Sequence, residues 1–378
     1  MMRRMPTVAR ATLTLTLIGA VLLLAACASS KPKPQPLEPL TPKIAGREIW
    51  NRSVNNIKFP LTVVALRDSF IVADGDGSVL ALDAQSGREL WRGSADAKLS
   101  AGVGSDGRFA AVVTREGDLV VLEQGLIKWR KSLGVRVNTA PLVAGERVFV
   151  LGADRGVQAF DVIDGRKLWA LQRAGDPLTL TQTGVLAAFK DTLVVGQGPR
   201  MAGIDPLLGT LRWEVPVGSP RGANEIERLA DLVGPVARVG NTLCARSFQA
   251  AVGCVDADKG TLSWSKNIGG TDGVSADAQF VFGADASDRI TAWKTATGEV
   301  AWSSDKLQYR GLSTPLSVGK TVVFGDEDGI VHWLSRETGE AQLRLPTDGG
   351  AIIAAPVISA TTMLVVTRKG GLFAFRPE

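Results

Sequence analysis

The chain has 378 residues, of which 45% are hydrophobic and 21% are charged, so it is long enough for one large domain or two ordinary ones and too highly charged for a polytopic membrane protein. Its single histidine, His332, argues against a multi-histidine metal site and against a catalytic pair of imidazoles. The formal net charge of +5 would favour a nucleic-acid partner only if the basic residues belonged to the folded part.

Residues 1–26 have the organisation of a secretory signal peptide. A basic region with Arg3, Arg4 and Arg10 precedes an apolar run that is too short to span a bilayer comfortably and that ends at Cys27. The sequence Leu-Ala-Ala-Cys at this end resembles the bacterial lipobox, in which the cysteine is acylated and becomes the mature N-terminus; the alternative is an ordinary cleavage site that a cysteine happens to follow. Removing the leader takes away three arginines and no acid, so the formal charge falls to +2 and gives no support for nucleic-acid binding.

Residues 27–42 are predicted to be the lipidated cysteine and a tether. Five prolines between positions 32 and 42 prevent a helix or a strand ladder, so we expect an extended, semi-rigid segment. The residues that follow Cys27 are Ala28 and Ser29, and neither is the aspartate associated with retention in the inner membrane. We therefore expect a lipid anchor in the outer membrane, with the folded part in the periplasm.

The rest of the chain is a repeat of about forty residues. In four units an alternating apolar run is followed by an Asp-x3-Gly-x3-Trp motif. The less regular copies in the other units lack the Asp, the Trp or two residues of the spacing. Eight motif positions from Trp50 to Leu343 lie 38 to 51 residues apart. The four unchanged copies are Asp83, Gly87 and Trp91; Asp161, Gly165 and Trp169; Asp205, Gly209 and Trp213; and Asp256, Gly260 and Trp264.

This periodicity predicts an all-β protein, an eight-bladed β-propeller of four-stranded antiparallel blades over residues 43–378. A linear solenoid could have the same period, but the two ends of the chain favour a closed ring. The last unit stops after its third strand, and residues 46–50 supply a fourth strand that has no preceding three. We expect one blade to combine N-terminal and C-terminal strands, and the tryptophans to pack between blades.

Most residues that could carry chemistry are better explained by structure. His332 lies within an apolar strand, and the acidic segments at Asp74 and Asp326 fall between strands, where Asp and Gly form hairpin turns. Cys244 and Cys254 flank a hairpin at equal parity, which permits a cross-strand disulfide; the alternative is two buried thiols. We expect no metal and no cofactor.

Two connections between blades are unusually long. The first follows Trp169, and the second runs from Trp213 to Pro235. In the second, Asn224 and the glutamate three residues later form the pattern of a capped helical turn. Both connections leave outer strands of neighbouring blades, so they are expected on one face of the ring, either as a partner-binding site or as loops that only cover the barrel.

The motifs resemble two groups of propellers. The Ala-Leu-Asp-x3-Gly-x3-Trp repeat is similar to that of pyrroloquinoline quinone enzymes, which would imply a periplasmic quinoprotein, but their vicinal cysteine pair and their cofactor and Ca²⁺ ligands are not found in the sequence. The lipobox, the eight units and the insertion Glu-Ile-Glu-Arg-Leu-Ala-Asp together resemble the BamB family of outer membrane protein assembly factors.

The resemblance to the BamB family implies a non-enzymatic lipoprotein of the β-barrel assembly machine. It would bind the POTRA region of BamA, associate with the other Bam subunits and assist unfolded outer-membrane clients; exposed strand edges that hold clients are a further hypothesis. Thr181 and Val233 replace charged residues of the family pattern, and we expect Asp231→Lys or Leu180→Glu to weaken co-purification with BamA without unfolding the protein. The residues that match the family's BamA-facing pattern are Leu178, Leu180, Glu225, Arg228, Leu229 and Asp231.

Overall fold

The computed structural model describes residues 32–173, 179–220 and 222–377. The predicted signal peptide, the acylation site Cys27 and the candidate contact residue Leu178 lie outside these ranges. No helix within the described ranges is long and apolar enough to cross a membrane.

The described chain forms eight four-stranded antiparallel sheets, as the repeat predicted. We name the four strands of each sheet A, B, C and D, from the innermost to the outermost. The A strands of successive sheets are neighbours around a central channel. Blades 1 to 4 consist of β2 (Val64–Ala65), β3 (Ser69–Ala73), β4 (Ser78–Asp83) and β5 (Glu89–Ser94); β6 (Leu99–Ser105), β7 (Phe109–Thr114), β8 (Asp118–Glu123) and β9 (Leu126–Ser132); β10 (Leu142–Ala144), β11 (Arg147–Leu151), β12 (Val157–Asp161) and β13 (Lys167–Leu171); and β14 (Leu186–Phe189), β15 (Thr192–Gln197), β16 (Arg200–Ile204) and β17 (Leu211–Pro216).

Blades 5 to 7 repeat this order, and blade 8 closes the ring. Blades 5 to 7 consist of β18 (Leu232–Val239), β19 (Thr242–Ser247), β20 (Ala251–Asp256) and β21 (Thr261–Lys266); β22 (Ser275–Ala276), β23 (Phe280–Ala284), β24 (Ile290–Lys294) and β25 (Val300–Ser304); and β26 (Leu316–Val318), β27 (Thr321–Gly325), β28 (Ile330–Ser335) and β29 (Ala341–Pro346). Blade 8 combines β30 (Val357–Ser359), β31 (Thr362–Val366) and β32 (Gly371–Pro377) with the N-terminal strand β1 (Gly46–Ser53).

Closure of the ring by both chain ends is confirmed. Strand β1 pairs antiparallel with β32, from Gly46 opposite Pro377 to Ser53 opposite Gly371. The free edges that an open array would leave at its ends are therefore absorbed into one blade.

The burial pattern explains why each unit forms this kind of sheet. The B and C strands are covered on both faces by neighbouring blades, so they are almost continuously apolar, and all six residues of β7 are buried. The outer D strands have one free edge and are mostly exposed or half-buried, and in β9 only Trp129 is buried. The core therefore lies between successive sheets.

The ring has two faces with different loops. Because the strands alternate in direction, the connections from each D strand to the next A strand lie on the same face as the B–C hairpins; we call this the connection face. The A–B turns and the C–D turns, which contain the Asp-x3-Gly motif, lie on the opposite face, the turn face. Blade 8 shows the same polarity, with Gly46 at the turn face and Ser53 at the connection face.

The repeat motif joins neighbouring blades at most of their seams. The Trp129 ring of blade 2 lies over Gly165 in the C–D turn of blade 3, where a Cβ atom would approach the ring to 2.6 Å. Its indole N–H donates to the backbone carbonyl of Val162 in the same turn, at 2.8 Å. The same indole-to-turn hydrogen bond recurs at Trp50 to Ala84, Trp169 to Pro206, Trp264 to Thr295 and Trp302 to Arg336.

This contact explains why the last copy of the motif lacks its tryptophan. Leu343 of blade 7 stands where a tryptophan would face the C–D turn of blade 8, but the two chain ends occupy that position, so blade 8 has no glycine turn to cover. Two tryptophans outside the motif series, Trp293 in β24 and Trp333 in β28, are 0% and 1% exposed and belong to the core.

The second half of the predicted tether lies against the propeller. Residues 35–43, which we call the strap, run along the seam between blades 6 and 7. Leu37 packs against the apolar cluster that these blades share, and Lys43 donates its N–H to the carbonyl of Gln342 at 2.8 Å. The boundary at residue 42 stays a prediction.

Candidate functional site

The two long connections lie side by side on the connection face. The described part of the first, residues 179–185, leads into β14, and the described parts of the second, residues 217–220 and 222–231, lead into β18. The two segments are bridged where Gly184 pairs antiparallel with Val233, and the N–H of Gly234 donates to the carbonyl of Thr183 at 2.8 Å. We call this surface the two-loop patch.

Asp231 holds the two connections together. Its Oδ2 accepts the backbone N–H of Leu180 at 3.1 Å, and its Oδ1 accepts Nη2 of Arg155, in the B–C hairpin of blade 3, at 2.9 Å. The side chains of Arg155 and Asp231 are only 16% and 15% exposed, so this ion pair is shielded from water. The carboxylate of Asp231 is therefore engaged within the chain, and its role at the patch is to position Leu180.

The second connection contains the predicted helical turn. The N–H of Glu227 donates to Oδ1 of Asn224 at 2.9 Å, and the N–H of Arg228 donates to the Asn224 carbonyl at 3.2 Å. The Glu227 carboxylate accepts the N–H of Ala223 at 2.8 Å, which completes a reciprocal cap. The turn is too short to be a helix, but its N-terminal end is capped, and we call residues 223–229 the knob.

The knob presents a mixed apolar and charged surface. Glu225 and Arg228 are exposed, whereas Leu229 is half-buried. Ile226 is 72% exposed, one of the most exposed large apolar side chains in the described chain, and the sequence prediction omitted it. Ile226 stands beside charged residues that match the family pattern, and this position could have identified it from the sequence as part of the surface.

Two positions that depart from the family pattern differ in environment. Thr181 is exposed beside Leu180, so it contributes a hydroxyl to the surface where the family pattern has an arginine. Val233 is only 5% exposed and pairs with Gly184 at the bridge between the connections. A charge at position 233 would be desolvated in this arrangement, so Val233 is consistent with an apolar seam under the patch.

The cysteine pair lies away from the patch surface, within blade 5. Cys244 in β19 is directly opposite Cys254 in β20, both side chains are fully buried, and their sulfur atoms are bonded. The bond closes a short loop centred on Gln249, whose positive φ of 50° makes the hairpin turn. The pair reinforces the blade whose A strand follows the second connection.

His332 belongs to a buried charge cluster in blade 7. Its Nε2 lies 2.9 Å from Oδ2 of Asp326, which also accepts Nε of Arg310 at 2.8 Å, while Oδ1 accepts the N–H groups of Asp328 and Ile330. Burial lowers the pKa of His332, and the hydrogen bond and charge of Asp326 only partly oppose this effect. Burial alone would raise the pKa of Asp326, but hydrogen bonds from His332, Ile330 and Arg310 outweigh it and keep that pKa below its ordinary value. The polar groups of the cluster are hydrogen-bonded to one another within a hairpin and a strand, which is the structural role predicted for Asp326 and His332.

The depressed pKa of His332 makes stability fall on acidification. Because the unfolded chain takes up a proton near pH 6.5 and the folded chain does so only at lower pH, the contribution is present above pH 6.5 and is lost as the pH falls toward the folded pKa. His332→Gln keeps an N–H donor for Asp326 and cannot titrate. We expect the melting temperature to decrease less between pH 7 and pH 5 in this variant than in the parent chain, as measured by circular dichroism.

Two buried acids act in the opposite direction. Burial raises the pKa of Asp272 and of Asp288, so each favours the folded state as the pH falls. Both the parent protein and the His332→Gln variant contain these acids. The difference between their pH profiles therefore isolates the contribution of the histidine. Identical pH profiles for the two chains would contradict this assignment.

The described lining of the central channel differs in its charges from a Ca²⁺ and quinone site. Its cavity of about 910 Å³ is lined by the cations Lys58, Arg368 and Lys369 and by a single carboxylate, that of Asp272. Ca²⁺ requires six to eight oxygen ligands, usually with several carboxylates. Within the described ranges, no group of three or more His, Cys, Asp and Glu side chains is arranged to hold a metal ion.

Arg246 fixes one wall of the channel. Its side chain is fully buried and donates to backbone carbonyls of Ile268, Gly269, Asp272 and Ala284, and burial lowers its pKa to about 10. The guanidinium thus ties the connection between blades 5 and 6 to strand β23. This role is structural, because the described contacts engage the group within the chain.

The fold and the patch define a class of protein: an eight-bladed propeller of PQQ-like repeats with a paired-loop surface on its connection face. The family model for outer membrane protein assembly factor BamB matches residues 75–304. The chain is 36% identical to outer membrane protein assembly factor BamB of Burkholderia pseudomallei, over 95% of this chain and 96% of the relative. It is 35% identical to that of Bordetella pertussis, over 91% and 90%. The chain belongs to the BamB family.

Solved structures agree with this fold. The crystal structure of BamB from Moraxella catarrhalis matches with a TM-score of 0.80 at 24% identity, covering 88% of this chain and all of that one. Quinohemoprotein alcohol dehydrogenase from Comamonas testosteroni matches with a TM-score of 0.67 at 14% identity, covering 88% of this chain and 76% of that one. At these identities the likeness concerns the fold alone.

Proposed function

We propose that the protein is a non-enzymatic adaptor of the β-barrel assembly machine, acylated at Cys27, anchored in the outer membrane and facing the periplasm. Through the two-loop patch it binds the POTRA region of BamA, and in the complex it assists delivery of unfolded outer-membrane clients. The observation that carries the proposal is the pair of connections that Asp231 fixes into one surface in a chain of this family.

The chemistry of the patch supports a protein partner. The knob places the exposed Ile226 between Glu225 and Arg228, so an apolar anchor is flanked by charges of both signs. The cap formed by Asn224 and Glu227 orders the knob before any partner arrives. Preorganisation of this kind lowers the entropic cost of association.

A crosslinking experiment tests the assignment. A photo-crosslinking amino acid at position 226 or 181, in cells that contain the complete assembly machine, should capture BamA, identified by mass spectrometry. Position 207 is the matched control, because Leu207 is 60% exposed on the turn face of neighbouring blade 4. Capture of BamA from position 207 as efficiently as from 226, or from neither, would refute the assignment of this surface. Quinone content of the purified protein separates the adaptor from a quinoprotein enzyme, and a stoichiometric quinone would overturn the proposal.

A further inference from the structure

The strap reverses the direction in which the N-terminus leaves the propeller. Strand β1 begins at Gly46 on the turn face, so an undocked tether would emerge there. The strap instead runs back from Lys43, near the C–D turn of blade 7, to Gln35, near the connection between blades 6 and 7. The chain that precedes Gln35 therefore starts from the connection face.

The strap is held by specific contacts along its length. At the connection face, the N–H of Gln35 donates to the carbonyl of Gln308 at 2.9 Å, and Arg310 donates to the carbonyl of Gln35 at 3.2 Å. In the middle, Arg344 of β29 donates to the carbonyl of Glu38 at 3.0 Å, while Lys306 pairs with its carboxylate at 3.0 Å. At the turn face, the ammonium of Lys43 lies 2.9 Å from the carboxylate of Glu340.

The receiving surface is built into the fold. The side chain of Arg310 is only 6% exposed and is fixed by ion pairs to Asp326 and Asp328, so the group that receives Gln35 is preorganised by the buried cluster of blade 7. Leu37 adds apolar contact with the cluster shared by blades 6 and 7. The exposed ion pairs contribute little by themselves, and the buried arginine and the leucine carry the specificity.

We propose that the strap is a positioning element that directs the lipid-bearing N-terminus out of the connection face and so turns the two-loop patch toward the membrane. The orientation rests on the proposed acylation of Cys27. Gln35 lies eight residues after Cys27, so even a fully extended chain between them would span at most roughly 30 Å. If the strap were undocked, the extended chain between Cys27 and Gly46 would span roughly 65 Å and would leave the propeller from the turn face.

The test supplies the lipid chemically, so it does not depend on acylation. In the chain from residue 27 onward, Cys27 is the thiol that remains when Cys244 and Cys254 are bonded, and it can be coupled to maleimide lipids in vesicles. A fluorescent donor is placed by bio-orthogonal chemistry at Ser219 on the connection face or at Leu207 on the turn face of blade 4. Energy transfer to acceptor-labelled headgroups should be roughly twofold higher from position 219, since the faces are about one strand length, ~20 Å, apart.

Two strap variants complete the test. Leu37→Asp combined with Arg344→Ala, and a replacement of residues 36–42 by glycine and serine at equal length, should remove the difference between the two donors. Arg92→Ala is the matched control: Arg92 follows the motif tryptophan of blade 1 as Arg344 follows Leu343, and its carboxylate partner is Glu89. Circular dichroism checks that each variant is folded.

The outcomes distinguish this inference from the proposed function. Equal transfer from both donors in the parent chain, greater transfer from position 207, or a difference that persists in both strap variants would overturn the positioning role. The mass of the N-terminal peptide from outer membranes tests acylation separately. An unmodified Cys27 would remove the lipid anchor from the proposed function and leave the vesicle result intact.

Discussion

Trp129→Ala is expected to lower the free energy of unfolding by about 3–5 kcal/mol, the largest stability effect that we predict for a single side chain. Trp129 is 9% exposed and packs against Phe160 of the next blade with ring centroids 6.4 Å apart. The substitution leaves a cavity over Gly165 and removes the hydrogen bond to the carbonyl of Val162. Urea unfolding followed by circular dichroism measures the change.

Trp91→Ala is the matched control for this experiment. Trp91 has the same place in the D strand of blade 1, but it faces blade 2, where the two-residue turn Gln124-Gly125 replaces the Asp-x3-Gly turn. We expect a loss of stability smaller by at least about 1 kcal/mol, because Trp91 is only partly buried and no such turn lies beneath it. Equal losses in the two variants would show that neither the turn contact nor the deeper burial of Trp129 determines the size of the effect.

The architecture could be predicted because the blades of a propeller share one geometry, so the same sequence pattern recurs in each of them. Every blade needs the same two-sided burial, and most blades use the same contact between a tryptophan and the following turn. Period, blade count and closure could therefore be derived from the motif positions and the incomplete end units. Even the missing tryptophan at Leu343 follows from closure, although its reason required the pairing of β1 with β32 to be known.

The organisation of the patch and of the strap could not be predicted in the same way. Asp231 and Leu180 were identified as surface contacts, but the bond between them depends on how two connections fold beside each other, and no local pattern encodes it. Arg155 lies in a hairpin 76 residues from Asp231, so sequence spacing gave no sign of their ion pair. The prolines predicted an extended strap, but its docking depends on Arg310 and Arg344, more than 250 residues away.

Asp231→Ala is expected to weaken binding to BamA by about 10- to 100-fold, which corresponds to about 1–3 kcal/mol. The loss arises within the chain: the substitution leaves the shielded guanidinium of Arg155 without this carboxylate and the N–H of Leu180 without its acceptor. The first connection then loses its fixed position beside the knob, and the cost of ordering it is added to association. Titration of the purified POTRA region, followed by isothermal calorimetry, measures the affinity.

Arg155→Ala separates a positioning role of Asp231 from direct contact with the partner. If the carboxylate acts by holding the loops, the two single variants and the double variant should lose similar affinity, because each breaks the same unit. If Asp231 touches BamA independently, the losses should add. Asp258→Asn is the control: Asp258 pairs with Lys190 across the exposed turn face, with side chains 38% and 49% exposed, and its loss should leave the affinity unchanged. Additive losses, or a similar loss in Asp258→Asn, would contradict the mechanism, which assigns the effect to the shielded pair between the second connection and the B–C hairpin of blade 3.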